Sequence, residues 1–450
     1  MVDTSRPLSD LQTLFADNST GDISAQDARD ALVSAISTTK INATQYGVLP
    51  SNSATENSTA LIAMRDYMLS NNDKTYYIYF EPGTYLYDNN RWLWNVKSYI
   101  IDAYGCTFQN TLSNSWEQNG RPINTNDVFD DRGDVLRSGA SENYVVGNYF
   151  NSAVAGDLSV TTTTAGDSDN FAVGDRVLLY GYDTQFAGYP HNPRFFEYKE
   201  VLTSAAGVVT FTDMLEFDYD STWPESNIGF GLVGKPLILN LDRTNYIQAK
   251  LAVMRGATFL PNSVNPAFRE FHLVGDTVVL EDITAPNIPP TTSKNVFLIR
   301  CKTSNTLEID KVINTVVLDG CEVKNGDSDH SLGGSTGAMR VIARNTKFYG
   351  PVHARPRSLD LDNCDFYVAS TPDMSGVIKQ NGGWGIRSLT LKGNTFYNMP
   401  NGETVPRAVN SGVLASITVG SVSGTDILIA FDATAKTVAG SLDVGSRLEL

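Results

Sequence analysis

Between about Leu237 and Tyr397 the chain repeats itself loosely, and that repeat limits the fold more than any other feature. An apolar run, a turn built on Gly, Asn or Cys, and a β-branched or aromatic residue recur. The units are Arg255-Gly256-Ala257-Thr258-Phe259, Val274-Gly275-Asp276-Thr277-Val278-Val279 and Ile299-Arg300-Cys301-Lys302-Thr303. Leu318-Asp319-Gly320-Cys321-Glu322-Val323, Ala343-Arg344-Asn345-Thr346-Lys347-Phe348, Leu361-Asp362-Asn363-Cys364-Asp365-Phe366 and Leu391-Lys392-Gly393-Asn394-Thr395-Phe396 continue them. The final residues of successive units are 20, 24, 20, 25, 18 and 30 positions apart. A parallel β-solenoid needs such a period, because its strands stack rung on rung while the connecting turns lengthen freely. The expected class is all-β, a parallel β-helix.

The chain has 450 residues, with 41% apolar and 19% charged residues and a net charge of −16. That composition is folded rather than disordered, and its acidity argues against nucleic acid or an anionic membrane as partner. No apolar run approaches the ~20 residues of a membrane span, and the polar start gives no expectation of a secretory signal. Cys106, Cys301, Cys321 and Cys364 show no CxxC spacing and no histidine partner nearby. Buried, reduced thiols are expected, with Cys301 and Cys321 stacked one coil apart; no metal and no cofactor is expected.

Upstream of the repeat, Ser58 to Leu69 spaces Ala60, Leu61, Met64, Tyr67 and Met68 as one helical face. Tyr76 to Phe80 reads as a strand, stopped by Pro82-Gly83 before Thr84-Tyr85, and Tyr99 to Ala103 as another that leads into Tyr104-Gly105-Cys106. The order Tyr46-Gly47-Val48, helix, strand, Pro82-Gly83-Thr84-Tyr85, strand, Tyr104-Gly105 resembles the opening of the pectate-lyase-like superfamily. The resemblance implies a right-handed parallel β-helix whose open end the helix caps.

Residues 1–40 form a separate segment. Ser24-Ala25-Gln26-Asp27 supplies an N-cap with an acid three residues on, and Ala28, Ala31, Leu32, Ala35 and Ile36 a narrow apolar stripe. The string from Leu14-Phe15-Ala16-Asp17-Asn18 to Ala31-Leu32-Val33-Ser34 is similar to a segment near the start of many bacteriophage tail fibre and tailspike proteins. The intervening residues 41–155 read as the start of the β-helix. Over 156–236, paired short strands with Gly turns predict an inserted antiparallel β domain. Residues 237–400 carry the coils, and the alternation after Gly412 predicts a C-terminal β cap over 401–450, since a solenoid end exposes unpaired backbone.

Three clusters are candidates for chemistry. Asp327, Asp329 and His330 share one Gly-rich loop, the residue types that acid–base cleavage of a glycosidic bond requires. Arg340, Arg355 and Arg357 lie near His353 and several aspartates and suit an anionic sugar. Tyr182, Asp183, Arg194 and Glu197, with Trp223 downstream, interleave aromatic and polar groups as sugar recognition does. The phage resemblance implies a tailspike-like homotrimer, a virion tail appendage made in the host cytoplasm. It implies attachment to other tail proteins through residues 1–40 and binding, with or without depolymerisation, of a host cell-surface polysaccharide. The alternative is a non-enzymatic structural or adhesion component of the virion.

Overall fold

The computed structural model describes residues 38–88, 93, 95–111, 148–182, 194–222, 236–242, 249–261, 263, 273, 275–286, 293–305, 307–308, 314–324, 332–333, 340–350, 352, 358–367, 378–379, 388–397, 407–410, 416–419, 428–431 and 442–444. The N-terminal helix expected before residue 38 lies outside them. Two long parallel sheets dominate. The first holds twelve strands, opening with Thr38–Asn42, Thr75–Tyr79, Ser98–Asp102, Ala249–Arg255 and Gly275–Glu281. The second holds nine, from Gly83–Tyr87 to Thr395–Tyr397. Every pairing within each is parallel, and from Thr75–Tyr79 to Ser388–Lys392 each rung adds one strand to both, which is a parallel β-helix.

The corner between the two sheets shows why the repeat reads as it does. On successive rungs Gly256, Asp282, Arg300, Gly320, Asn345, Asn363 and Gly393 all take φ between 50° and 73°. Each turns the chain through one left-handed residue, which Gly adopts freely and Asn or Asp tolerates. For the first six, the backbone N–H then donates to the carbonyl of the strand on the next rung, as from Gly256 to Glu281 and from Asn345 to Asp362. The unit at 274–279 is the exception in the sequence pattern: its glycine opens a strand, and the true corner is Asp282. A glycine-led search passes over it because an aspartate does the turning.

The residue after each corner is buried, so Ala257, Ile283, Cys301, Cys321, Thr346, Cys364 and Asn394 form one internal column. The four cysteines are free and buried. Cys301, Cys321 and Cys364 each donate to a carbonyl on the preceding rung, those of Leu280, Leu298 and Ala343, at 3.3, 3.3 and 3.4 Å. A second internal column is aromatic at both ends: Tyr85, Phe108 and Phe259 stack, as do Phe348 and Phe366.

The capping helix runs Ala54–Leu69 behind a Ser53–Glu56 capping box. It buries Ala60, Leu61, Met64 and Met68 on the first rungs, where Asn57 donates to Leu86 O. Tyr67, expected on that face, is 43% exposed at its rim and touches the Tyr46 and Tyr76 rings.

The inserted sheet has six strands, all antiparallel, from Asn148–Tyr149 to Leu237–Asn240, slightly wider than the 156–236 span read from the sequence. It has its own core around Phe150, Val177, Leu179, Val209, Phe211 and Tyr219. The Arg176 guanidinium ties it to the β-helix, gripping Asp242 at the insertion's end and Asp276 on a first-sheet strand.

After residue 400, Ser416–Val419 and Leu442–Val444 extend the first sheet in parallel, and Arg407–Asn410 and Leu428–Phe431 extend a third, shorter one. The described strands of 401–450 are therefore further rungs, not a separate cap. Alternating apolar residues serve a parallel rung as well as an antiparallel hairpin, so period alone does not separate them.

Candidate functional site

On the first sheet, side chains alternate between the core and the outward face. Tyr76, Tyr99, Ala252, Val278 and Val296 point into the main core; on the opposite side of the sheet Ile100, Val253 and Val279 are buried too, in a second apolar cluster against which Tyr77, Leu251 and Phe297 pack. At the corner end of that outward face, register aligns Tyr79, Asp102, Arg255, Glu281, Ile299, Asp319, Arg344, Asp362 and Lys392 in one column. Strands in a sheet lie ~4.8 Å apart, so opposite charges on neighbouring rungs face one another.

The N-terminal half of this column gathers the most polar groups. The Tyr77 hydroxyl donates to Asp102, and Arg255 Nε lies 3.3 Å from Glu281 Oε2. Arg300, at the corner one rung on, reaches Glu281 at 2.7 Å and Asp282 at 2.7 and 2.8 Å. Tyr104 donates to Asp282 at 2.9 Å while its ring lies across the backbone of Gly256. A Cβ at 256 would sit 2.4 Å from that ring, so the missing side chain is what admits the tyrosine. Tyr79 and Tyr104 remain 37% and 48% exposed beside these charges. The carboxylates are taken up by guanidinium and phenol donors. Among the described residues no three His, Cys, Asp or Glu side chains gather as a metal site.

Burial, then the hydrogen bond to Asp102, pushes the Tyr77 phenol up to about 12, and burial does the same to Tyr85. A folded-state value above the ordinary 10.0 means that the stabilisation is complete below pH 10 and is lost as pH climbs from 10 through 12. We therefore expect a flat unfolding midpoint up to about pH 10 and a falling one above it. Tyr77→Phe is expected to lessen the fall, as followed by denaturant titration at stepped pH.

Of the residues expected from the sequence to act, Asp327, Asp329, His330, Asp183, Trp223, Arg355 and Arg357 lie outside the described residues. Tyr182 and Arg194 are brought opposite one another at the ends of two antiparallel strands. Glu197 is not at a surface. In the strand Arg194–Ala205 it shares the inward phase with Lys199 and Val201. Its carboxylate accepts from the N–H groups of Glu216 and Phe217 and from the Tyr219 hydroxyl, and pairs with Lys199 Nζ at 2.9 Å. With 1% of its side chain exposed, it pins the 214–219 segment rather than meeting a sugar. Its phase with Val201 was the available signal. Arg340 stays on the β-helix, joined to Asp360 on the next rung at 2.7 and 2.8 Å. The column residues Tyr79, Asp102, Tyr104, Arg255, Glu281, Asp282 and Arg300 were not singled out from the sequence, because only register unites them.

Strand register and the outward column together define a parallel β-helix protein with an inserted antiparallel sheet. No family model matches the chain, and no curated protein does. Among the solved structures similar to it are three tailspikes, each at 13% identity. One is the Gp54 tailspike of Acinetobacter baumannii bacteriophage AP22 in complex with A. baumannii capsular saccharide, covering 94% of this chain and 71% of that one, TM-score 0.40. Another is the tailspike gp49 of Pseudomonas phage LKA1, covering 90% and 77%, TM-score 0.39. The third is the tailspike gp61 of Pseudomonas phage phi297, covering 90% and 74%, TM-score 0.41.

Proposed function

We propose that this chain is a tailspike-type receptor-binding protein that recognises a host cell-surface polysaccharide along the outward face of its β-helix. The observation that carries the reading is the column of Asp102, Arg255 and Glu281 on consecutive rungs, flanked by the half-exposed rings of Tyr79 and Tyr104. Aromatic rings beside hydrogen-bonding charges match the apolar faces and polar rims of sugars. A straight stack of rungs offers a polymer repeated contacts along one axis. The similarity of residues 14–34 to phage tail proteins supports placing the protein on a virion tail, with residues 1–40 as its attachment and a homotrimer as its assembly. A capsular saccharide, the ligand in the Acinetobacter phage structure, is the class of polymer proposed.

Cleavage of that polymer is the second reading. It rests on Asp327, Asp329 and His330, which lie in the sequence between the strands Glu322–Lys324 and Leu332–Gly333. The test is a reducing-end assay on host polysaccharide. Asp327→Asn or Asp329→Asn is expected to slow release by about a hundredfold or more while binding persists. Binding without release by the unaltered protein would leave adhesion as its role.

A further inference from the structure

The second sheet turns a face of its own to solvent. Val323, Phe348 and Phe366 point into the core, so Glu322 and Lys324, Lys347 and Tyr349, and Asp365 and Tyr367 point out. Lys324 and Lys347 are exposed and the other four half-buried. Register sets Lys302, Glu322, Lys347 and Asp365 in one outward row. Lys324 and Tyr349 begin a second row, which the Tyr367 ring continues. Earlier rungs of this face place Thr84, Thr107, Thr258 and Thr284 in the first row, so its described charges all fall from Lys302 onward.

Three ammonium groups (Lys302, Lys324, Lys347) stand here against two carboxylates (Glu322, Asp365), the reverse of the balance in a chain that carries −16. Lys324, with 51% of its side chain exposed, approaches Glu322 only to 3.9 Å. Among the described residues, Lys302 and Lys347 make no ion pair. The rings add to the same preference. Tyr349 and Tyr367 stack at 4.9 Å and 14°, and Lys324 Nζ lies 5.9 Å over the Tyr349 ring from the preceding rung. Both faces of Tyr349 are thereby occupied, which leaves its hydroxyl and electropositive edge for a ligand. Ring edges and ammonium groups alike attract anionic oxygen. Lys324 and Lys347 are diagonal neighbours on adjacent rungs, within reach of a single carboxylate through their long side chains. We propose that Lys324, Lys347 and the Tyr349–Tyr367 stack bind an acidic sugar, whose carboxylate accepts from the two ammonium groups while its hydroxyls exchange hydrogen bonds with the phenols. This site rests on the polysaccharide-binding reading, adds a second line of contact to it and narrows the polymer to one that bears uronate.

The test measures binding of the full chain to uronate polymers (alginate, polygalacturonate) and to neutral hexose polymers (glucan, galactan, mannan) at about 20 and about 300 mM NaCl. We expect a uronate polymer to bind more tightly than the neutral ones and to weaken with salt. Lys324→Gln is expected to weaken it by about tenfold or more, and Lys324→Arg to retain most of the affinity. Lys40→Gln, the same charge change at an exposed lysine of the first strand, should leave binding as it was. Because Lys324 is a surface side chain, the unfolding midpoint of Lys324→Gln is expected not to move. Selective binding of a neutral polymer, or Lys324→Gln binding as tightly as the unaltered chain, would overturn the acidic-sugar site while the polysaccharide reading stands. So would equal losses in Lys40→Gln and Lys324→Gln, which would mean net charge alone. Binding lost only together with a change of oligomeric state, followed by sedimentation, would assign the face to contact between copies and overturn the site as well. Failure of the unaltered chain to bind either set would count against the polysaccharide reading itself and take the site with it.

Discussion

Replacing Arg176 with alanine is expected to cost about 3–5 kcal/mol, because it leaves two carboxylates without their cation. Arg176 binds Asp242 through Nε and Nη2, at 3.1 and 2.8 Å to Oδ1, and Asp276 through Nη1 at 2.6 Å. Its backbone N–H also reaches Asp242 at 2.9 Å. All three side chains are largely enclosed, with 13%, 15% and 21% exposure, so solvent screens them little. The environment acts differently on the two acids: burial outweighs the guanidinium at Asp276 and raises it, while the hydrogen bonds and charge of Arg176 overcome burial at Asp242 and lower it. The clamp joins the insertion to the β-helix, so its loss should appear first as separate melting of the inserted sheet. Calorimetry of Arg176→Ala is expected to show an early transition, with protease cleavage concentrated between residues 148 and 242. Asp276→Asn keeps the shape, gives up one charge and should cost less. A single unshifted transition in Arg176→Ala would show that the insertion is held by other contacts.

Phe108→Ala is expected to be comparably damaging, at about 3–5 kcal/mol. The ring sits between rungs, 5.5 Å from both Tyr85 and Phe259 in near-parallel stacking and 5.3 Å from Phe80 edge-on. Only 2% of the residue is exposed, so the cavity left by alanine would have no route to collapse except by shifting whole rungs. A solenoid rung touches only its neighbours, which confines the damage to the strands from Gly83 to Leu260. Hydrogen exchange should therefore accelerate there and stay unchanged near Phe348 and Phe366, a distinct rung stack. Phe108→Leu, which keeps most of the volume, is expected to recover more than half of the loss.

Both predictions concern contacts of a kind that the sequence reading did not see. Cys321, Asn345 and Asn363 reveal a turn at a regular place because each corner needs a left-handed residue followed by a small buried one, a local requirement written into adjacent positions. Strand phase within a unit is local too, which is why Val323, Phe348 and Phe366 recur as the closing residues of successive units. The corner at Asp282 escaped because its residue is an acid, and the strands after residue 400 because alternation does not say which strand will be the neighbour. Glu197 was misplaced for a related reason: a carboxylate in a polar, aromatic stretch looks exposed until Glu216, Phe217, Tyr219 and Lys199 close around it.

What the sequence determined by itself was the repeat, hence a parallel stack of coils, the capping helix, and the buried free thiols. These follow from periodicity and backbone preference, which act over a few residues. What only the tertiary structure decided was which charges meet. Asp102 and Arg255 are 153 positions apart in the chain but adjacent across a rung, because the inserted sheet and its connections lie between them. The register of parallel strands is fixed by packing of the whole core, so a column of Tyr79, Asp102, Arg255 and Glu281 exists only once every rung has closed.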